Sequence, residues 1–221
     1  MNLKVQLTRA LIISIISLAG FALLATMVTY DKIIHFDSIV ISFIQGFEAP
    51  TLTVIMKFFT SIGSTVSIVP LSLLILIFLY KVLKHRSELI LFIAVMVGSN
   101  ILFLLLKLYF HRARPDLHRL IEVSGYSFPS GHATNACTLY GILTFLLWRH
   151  IRTRLGRTIL IVLSAMMIFT IGISRIYLGV HYPSDILAGY FLSVLWLTTA
   201  IWFYQQYQER HINKKTIRNK N

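Results

Sequence analysis

Acidic residues are scarce: 8 Asp and Glu stand against 21 Lys and Arg in a chain of 221 residues. Charge of either sign reaches only 13% of the chain, about half the roughly 25% of ordinary soluble domains, so a conventional soluble fold is excluded. Cysteine is nearly absent as well. The lone Cys137 excludes an internal disulfide and fits no metal-ligand spacing; it lies in an apolar segment, where burial is expected, and it leaves the redox compartment open. No internal repeat or low-complexity stretch stands out. The formal charge of +13 would suit a nucleic-acid partner, but Lys and Arg gather at the ends of apolar runs, where they meet phospholipid headgroups. Membrane lipids are therefore the expected partners, and nucleic acid is not.

What fills the chain is apolar sequence, 56% hydrophobic with a mean hydropathy of +0.73. A crossing helix needs about 20 mostly apolar residues, because each adds ~1.5 Å across a hydrocarbon core of ~30 Å. Residues 11–30, 61–80, 89–106 and 186–207 meet that need, and residues 133–148 and 158–174 meet it when extended through their flanks. The expectation is an all-α, polytopic membrane protein: a bundle of six transmembrane helices forming a single domain over residues 1–221. The first run, preceded by Lys4 and Arg9, could be a cleaved signal, but its apolar stretch exceeds the usual ~7 to 15 residues, which favours a retained anchor. Between the first two spans, Leu52, Ile55, Met56 and Phe59 recur at helical spacing, which predicts an amphipathic helix in the interface, the alternative being a loop packed on the bundle. Residues 209–221 read as a basic tail that hugs anionic lipid.

Charge also sets orientation, since cytoplasmic loops are enriched in Lys and Arg. Lys81, Lys84 and Arg86 join spans two and three, and Arg149, Arg152, Arg154 and Arg157 join spans four and five, so these loops and both termini are expected in the cytoplasm of a cell-membrane protein. The loops after spans one, three and five then face outward. The first of them carries Asp31, Asp37 and Glu48, as the rule prefers. The loop after span three breaks the rule with Lys107, Arg112, Arg114 and Arg119, and a binding site for an anion would account for that charge.

Three segments end spans on this outer side: Lys107 with Arg114-Pro115, then Pro129-Ser130-Gly131-His132, then Ser174-Arg175 with His181 and Asp185. Because consecutive spans alternate direction, parity alone brings the three to one membrane face. Lys107 and Arg114 stand two helical turns apart and share a face if the helix runs close to Pro115, which itself disfavours helix just before it. Taken alone, the pair reads better as a snorkelling lysine and a headgroup-contacting arginine than as two ligands of one anion, and only the company of the other segments reverses that. Ser130 suits the N-cap of span four; Gly131 lets a ligand approach free amides of the kind that bind phosphate, whereas simple capping would not explain His132 at the mouth of an apolar span. Pro183 suits a first helical turn and puts Asp185 in it, either as a favourable charge for the helix dipole or as the partner that keeps one nitrogen of His181 protonated and frees the other as a nucleophile. His132, His181 and Asp185 would also make a respectable zinc set, but Lys107, Arg114 and Arg175 would surround that cation with like charge while suiting a phosphate. The expected site therefore contains no metal.

In their order and internal spacing, these segments resemble the signature of the type 2 phosphatidic acid phosphatase family, lipid phosphate phosphatases that share a catalytic core with vanadium haloperoxidases. The signature covers residues 107–185, and all its defining positions are present. The resemblance implies a reaction without metal or other cofactor. His181 attacks phosphorus, Asp185 orients it, and His132 protonates the leaving oxygen and later activates water, while Lys107, Arg114, Ser130, Gly131 and Arg175 bind the phosphoryl oxygens. The implied substrate is a lipid phosphate. Compact size without large loops looks most like bacterial members that act on phosphatidylglycerophosphate or undecaprenyl pyrophosphate, with the monoester favoured slightly. A phosphotransferase, or a membrane protein that binds or transports phosphate without turnover, stays open as an alternative, as does the oligomeric state.

Overall fold

The computed structural model describes residues 3–83, 86–116 and 118–218. Every regular element among them is helical: α1 (Leu3–Thr29), α2 (Ile34–Gln45), α3 (Pro50–Ile62), α4 (Thr65–Phe78, continued by a π-helical turn over Leu79–Leu83), α5 (Arg86–Phe110), α6 (Gly131–Trp148), α7 (Arg154–Tyr177) and α8 (Pro183–Arg218). Local polar chemistry sets several boundaries. Ser64, Ser130 and Thr153 precede α4, α6 and α7 in extended backbone conformation, and each side chain accepts from an N–H of the first turn. Pro50 and Pro183 occupy the first helical position, where a missing N–H goes unfelt.

By length and apolarity α1, α5, α7 and α8 can each cross a bilayer, and α3 with α4 supplies a fifth crossing if this pair, bent by 50°, is one span. Six are expected from the sequence. The remaining candidate, α6, has 18 residues, but His132, Thr134, Asn135 and Thr138 lower the apolarity of its first half. Those polar groups are shielded, because α6 packs against α5, α7 and α8 and is buried without interruption from residue 133 to 139.

Two features of the first hundred residues were not separated by the sequence. The expected run over 61–80 is not one straight helix: the chain breaks at Gly63 and Ser64, and α3 leads into α4 at an angle. The structure also adds α2, whose 12 residues are too few to cross a membrane and whose Asp37 is buried. Leu52, Ile55, Met56 and Phe59 all lie on α3. Leu52 and Met56 pack on Tyr177, Leu178 and Val180 at the end of α7, while Ile55 stays exposed. Lys84 and the last residues of the basic tail, 219–221, lie outside the described residues, and α8 continues to Arg218.

Of four buried apolar clusters among the described residues, two larger ones fill most of the interior. Ile68, Leu91, Phe92, Val95, Leu139 and Ile142 join α4, α5 and α6, while Phe21, Leu24, Phe103, Phe128, Ala188 and Leu192 join α1, α5 and α8. Hydroxyl pairs tie helices across the lipid-facing bundle: Ser99 to Thr138 at 2.8 Å, Thr144 to Ser164 at 2.8 Å and Ser14 to Thr198 at 2.7 Å. Such bonds contribute about 0.6 kcal/mol each, so they select register more than they drive assembly.

Candidate active site

All three signature segments meet at one end of the bundle. The Ser130 amide donates to the Asp185 carbonyl at 3.1 Å, which fastens the start of α6 to the start of α8. Leu120 N–H donates to the Leu178 carbonyl at 3.1 Å and ties the long loop after α5 to the end of α7. Gly179, with φ +71, sits in that contact; a Cβ there would lie 1.8 Å from the His118 carbonyl oxygen, so both its conformation and its closest approach require glycine. At the α3–α4 corner Gly63 leaves room for its neighbours, since a Cβ would stand 2.5 Å from Ile171 and 3.4 Å from the His132 ring.

Lys107 and Arg114 do not share a helical face, which corrects the expectation from their spacing. α5 stops at Phe110, the chain turns through His111 in the left-handed region (φ +48), and Arg114 lies in the irregular segment that follows, as the approach to Pro115 favours. Backbone carbonyls hold Arg114 instead. Its Nε donates to Gly125 at 2.9 Å, Nη2 to Ser124 at 3.2 Å and Nη1 to Val180 at 2.8 Å.

The same Nη1 lies 3.0 Å from Nε2 of His181. A guanidinium can only donate, so Nε2 must carry the lone pair and the ring proton resides on Nδ1. Nδ1–H in turn faces Oδ2 of Asp185 at 3.2 Å. This is the tautomer a nucleophilic imidazole needs, with the lone pair on Nε2 and Nδ1 anchored to a carboxylate. His181 is 1% exposed, and burial, with Arg114 and Arg175 reinforcing it against the raising effect of Asp185, pushes its pKa down to about 3. The ring is therefore neutral at neutral pH.

Around this pair the cations converge. Arg175, 2% exposed, donates from Nη1 to Thr60 Oγ1 of α3 at 2.5 Å, while its buried Nε has no hydrogen-bond partner among the described residues. A buried guanidinium with an unfilled donor is costly unless an anion engages it. His132, in the first turn of α6, lies against Gly63 at the α3–α4 corner, one helical turn from the Thr60 that Arg175 holds. Ser130 is fully buried and its hydroxyl caps α6 through the Ala133 amide at 3.5 Å; the amides of Gly131 and His132 are first-turn donors with no acceptor in their own helix.

Several side chains at the site went unrecognised in the sequence. Arg112, placed there among the charges of an anion site, is instead paired with carboxylates: Asp185 Oδ1 at 2.7 Å and Asp37 Oδ2 at 2.8 Å. Burial alone would weaken its charged form, but Asp185 and Asp37 raise its pKa above the ordinary guanidinium value. Asp37 had the look of a topological marker, yet it is 1% exposed and accepts from Ser184 N at 2.9 Å. Ser127 donates to Asp185 Oδ2 and lies 3.3 Å from His181 Nδ1. Arg119 is engaged with the Pro115 and Arg114 carbonyls. A zinc ion fits this donor set poorly. Both Asp185 oxygens are already bonded to Arg112, Ser127 and the Tyr182 amide, and Nε2 of His181 faces a guanidinium.

Comparison with known proteins gives a consistent assignment. The PAP2 superfamily model matches residues 88–210. Phosphatidylglycerophosphatase B of Bacillus subtilis is 28% identical over 176 residues, covering 79% of this chain and 86% of that protein. An undecaprenyl-diphosphatase of Sulfolobus acidocaldarius is 31% identical over 152 residues, 66% of this chain and 67% of its own length. Among solved structures, the transmembrane PAP2-type phosphatidylglycerolphosphate phosphatase from Bacillus subtilis superposes with a TM-score of 0.81 at 26% identity, covering 87% of this chain and 96% of that one.

Proposed function

Because this chain belongs to the PAP2 superfamily, we propose that it is an integral membrane hydrolase that removes phosphate from a lipid phosphate monoester, of the phosphatidylglycerophosphate or phosphatidic acid kind, through a phosphohistidine. One observation carries this reading: Arg114 and Asp185 bracket His181 so that a neutral imidazole presents its Nε2 lone pair beside a cluster of cations. A protein that only bound or carried phosphate would not need that tautomer.

In the first step Nε2 of His181 bonds to phosphorus, the bond from phosphorus to the lipid oxygen breaks, and His132, which takes up a proton as the anionic phosphate enters beside it, gives that proton to the departing oxygen. Arg114 exchanges its bond to Nε2 for a phosphoryl oxygen as the substrate enters. Lys107, Arg175 and the Gly131 and His132 amides hold the remaining oxygens, with Ser130 fixing the helix end that presents those amides. Asp185 stabilises the imidazolium that forms. In the second step His132 takes a proton from water, the resulting oxygen attacks phosphorus, and the phosphorus–nitrogen bond breaks to release phosphate and neutral His181.

No step uses a metal. Phosphate release by the purified protein in detergent is expected to persist in EDTA when phosphatidylglycerophosphate, phosphatidic acid and undecaprenyl pyrophosphate are compared. Activity that vanished in chelator and returned with zinc or magnesium would refute this mechanism, and preference for the pyrophosphate would move the chain to the second substrate class, which the Sulfolobus relative's name keeps in the panel.

The same reading makes α4 with its π-helical continuation, and α6, the crossings that join α1, α5, α7 and α8 to give six, places both termini in the cytoplasm, and puts the loop after α5 outside the cell membrane, with α3 at the interface and the basic end of the chain on the inner leaflet. Asp116 is exposed in that loop. Asp116→Cys in a Cys137→Ser background is expected to react with a membrane-impermeant maleimide in intact cells. Labelling only after lysis would invert the topology.

A further inference from the structure

Building on the proposed roles of His181 and Asp185, we infer that Arg112 and Asp37 are positioning residues that hold the Asp185 carboxylate without neutralising it. Asp185 is fully buried, and its two oxygens do different work. Oδ2 faces His181 Nδ1 at 3.2 Å and accepts from Ser127 Oγ and from the Tyr182 amide at 2.9 Å. Oδ1 accepts from Nη1 of Arg112 at 2.7 Å. A carboxylate tied at both oxygens cannot rotate about its last torsion, so Arg112 is what keeps Oδ2 aimed at the imidazole.

The guanidinium is itself built in. Nη1 also donates to Ser184 Oγ at 2.8 Å, Nη2 donates to Asp37 Oδ2 at 2.8 Å, and the Tyr182 ring lies 4.0 Å from the guanidinium carbon. Asp37 closes the frame from α2. Its Oδ1 accepts from Ser184 N at 2.9 Å and its Oδ2 from Ser184 Oγ at 2.7 Å, so α2, the loop after α5 and the first turn of α8 share one hydrogen-bonded cluster.

Charge explains why two carboxylates are needed. Arg112 alone would cancel Asp185 and compete with the imidazolium that forms when His181 takes up phosphorus. Asp37 balances Arg112, so the three-group cluster keeps one net negative charge, and that charge faces His181. Arg112 thereby supplies geometry, and Asp37 preserves the electrostatic field.

The test is a double-mutant cycle with Arg112→Met, Asp37→Asn and the pair, plus Arg112→Lys, read as single-turnover phosphorylation rate and as KM for a lipid phosphate. Thermal unfolding and vanadate binding establish that each protein is folded. Arg112→Met is expected to lower kcat about 10- to 100-fold, by analogy with the loss of groups that orient the ligands of a metal, with KM changed much less, and Arg112→Lys is expected to recover part of that loss. Asp37→Asn is expected to cost about tenfold alone but little in the Arg112→Met background, because with the cation gone there is nothing left to balance. A wild-type kcat in Asp37→Asn or Arg112→Met, or an Asp37→Asn loss of equal size in both backgrounds, would overturn the inference, and if Arg112→Met does not fold, Asp37→Asn and Arg112→Lys decide it. The wild-type control separates the two levels: absence of phosphate trapped on wild-type His181 defeats the phosphohistidine reading itself, whereas trapping in wild type with unaffected variants defeats only the positioning roles.

Discussion

Replacing His181 with alanine is expected to remove the covalent route entirely. Loss of a nucleophile leaves only what binding and electrostatics supply, and in comparable systems that costs on the order of 10⁴-fold or more in kcat. The loss should be the same for a lipid monoester and for p-nitrophenyl phosphate, because no leaving group, however good, replaces the missing nitrogen. Since His181 contacts Arg114 and Asp185 but anchors no helix, the variant should still fold, and vanadate binding checks that its cations remain in place. Acid-labile phosphate trapped on the His181→Ala protein would transfer the nucleophile's role elsewhere.

His132→Ala should behave differently, and the difference identifies its role. General acid catalysis contributes typically ~10² to 10⁴-fold, in proportion to how badly the departing oxygen needs a proton. A lipid alkoxide needs that proton, whereas p-nitrophenolate hardly does. Single-turnover release of the leaving group should therefore fall by about 10² or more for the lipid and far less for the nitrophenyl ester. The step must be isolated because His132 also serves as base when water attacks the phosphohistidine. Equal losses on both substrates, in a protein that still binds vanadate, would take the acid's role from His132.

Much of this site was legible in the sequence because its parts are local. Four residues separate His181 from Asp185 and Pro183 lies between them, so a helix start after His181 brings ring and carboxylate together, as the 3.2 Å contact bears out. Ser130 before an apolar run reads as a cap and is one. Alternation of the expected spans predicts all three motifs at one end of the bundle, and their mutual contacts put them there. What escaped depends on partners far apart in the chain. Asp37 meets Arg112 and Ser184 across more than seventy residues, and nothing in its own surroundings separates a buried carboxylate from an outer-loop acid that satisfies the positive-inside rule. Arg112 reads in the sequence only as one of the unexplained positive charges of its loop, because sequence gives its charge but not its counter-charge. The shared face of Lys107 and Arg114 failed for a local reason, since α5 ends at Phe110 and Arg114 reaches the site through backbone carbonyls of its own loop. Gly63 broke a run that composition alone makes continuous.

The central claim is that phosphorus passes through Nε2 of His181 without a metal, and rapid quenching tests it most directly. Purified protein in EDTA, mixed with lipid phosphate labelled in its phosphoryl group and quenched in alkali within milliseconds, is expected to carry up to one phosphate per chain. That phosphate should be stable to base, labile to acid and located on the peptide containing His181, and it should appear at a rate no slower than steady-state turnover. Turnover in EDTA with no protein-bound phosphate, or with the label on another residue, would contradict the account.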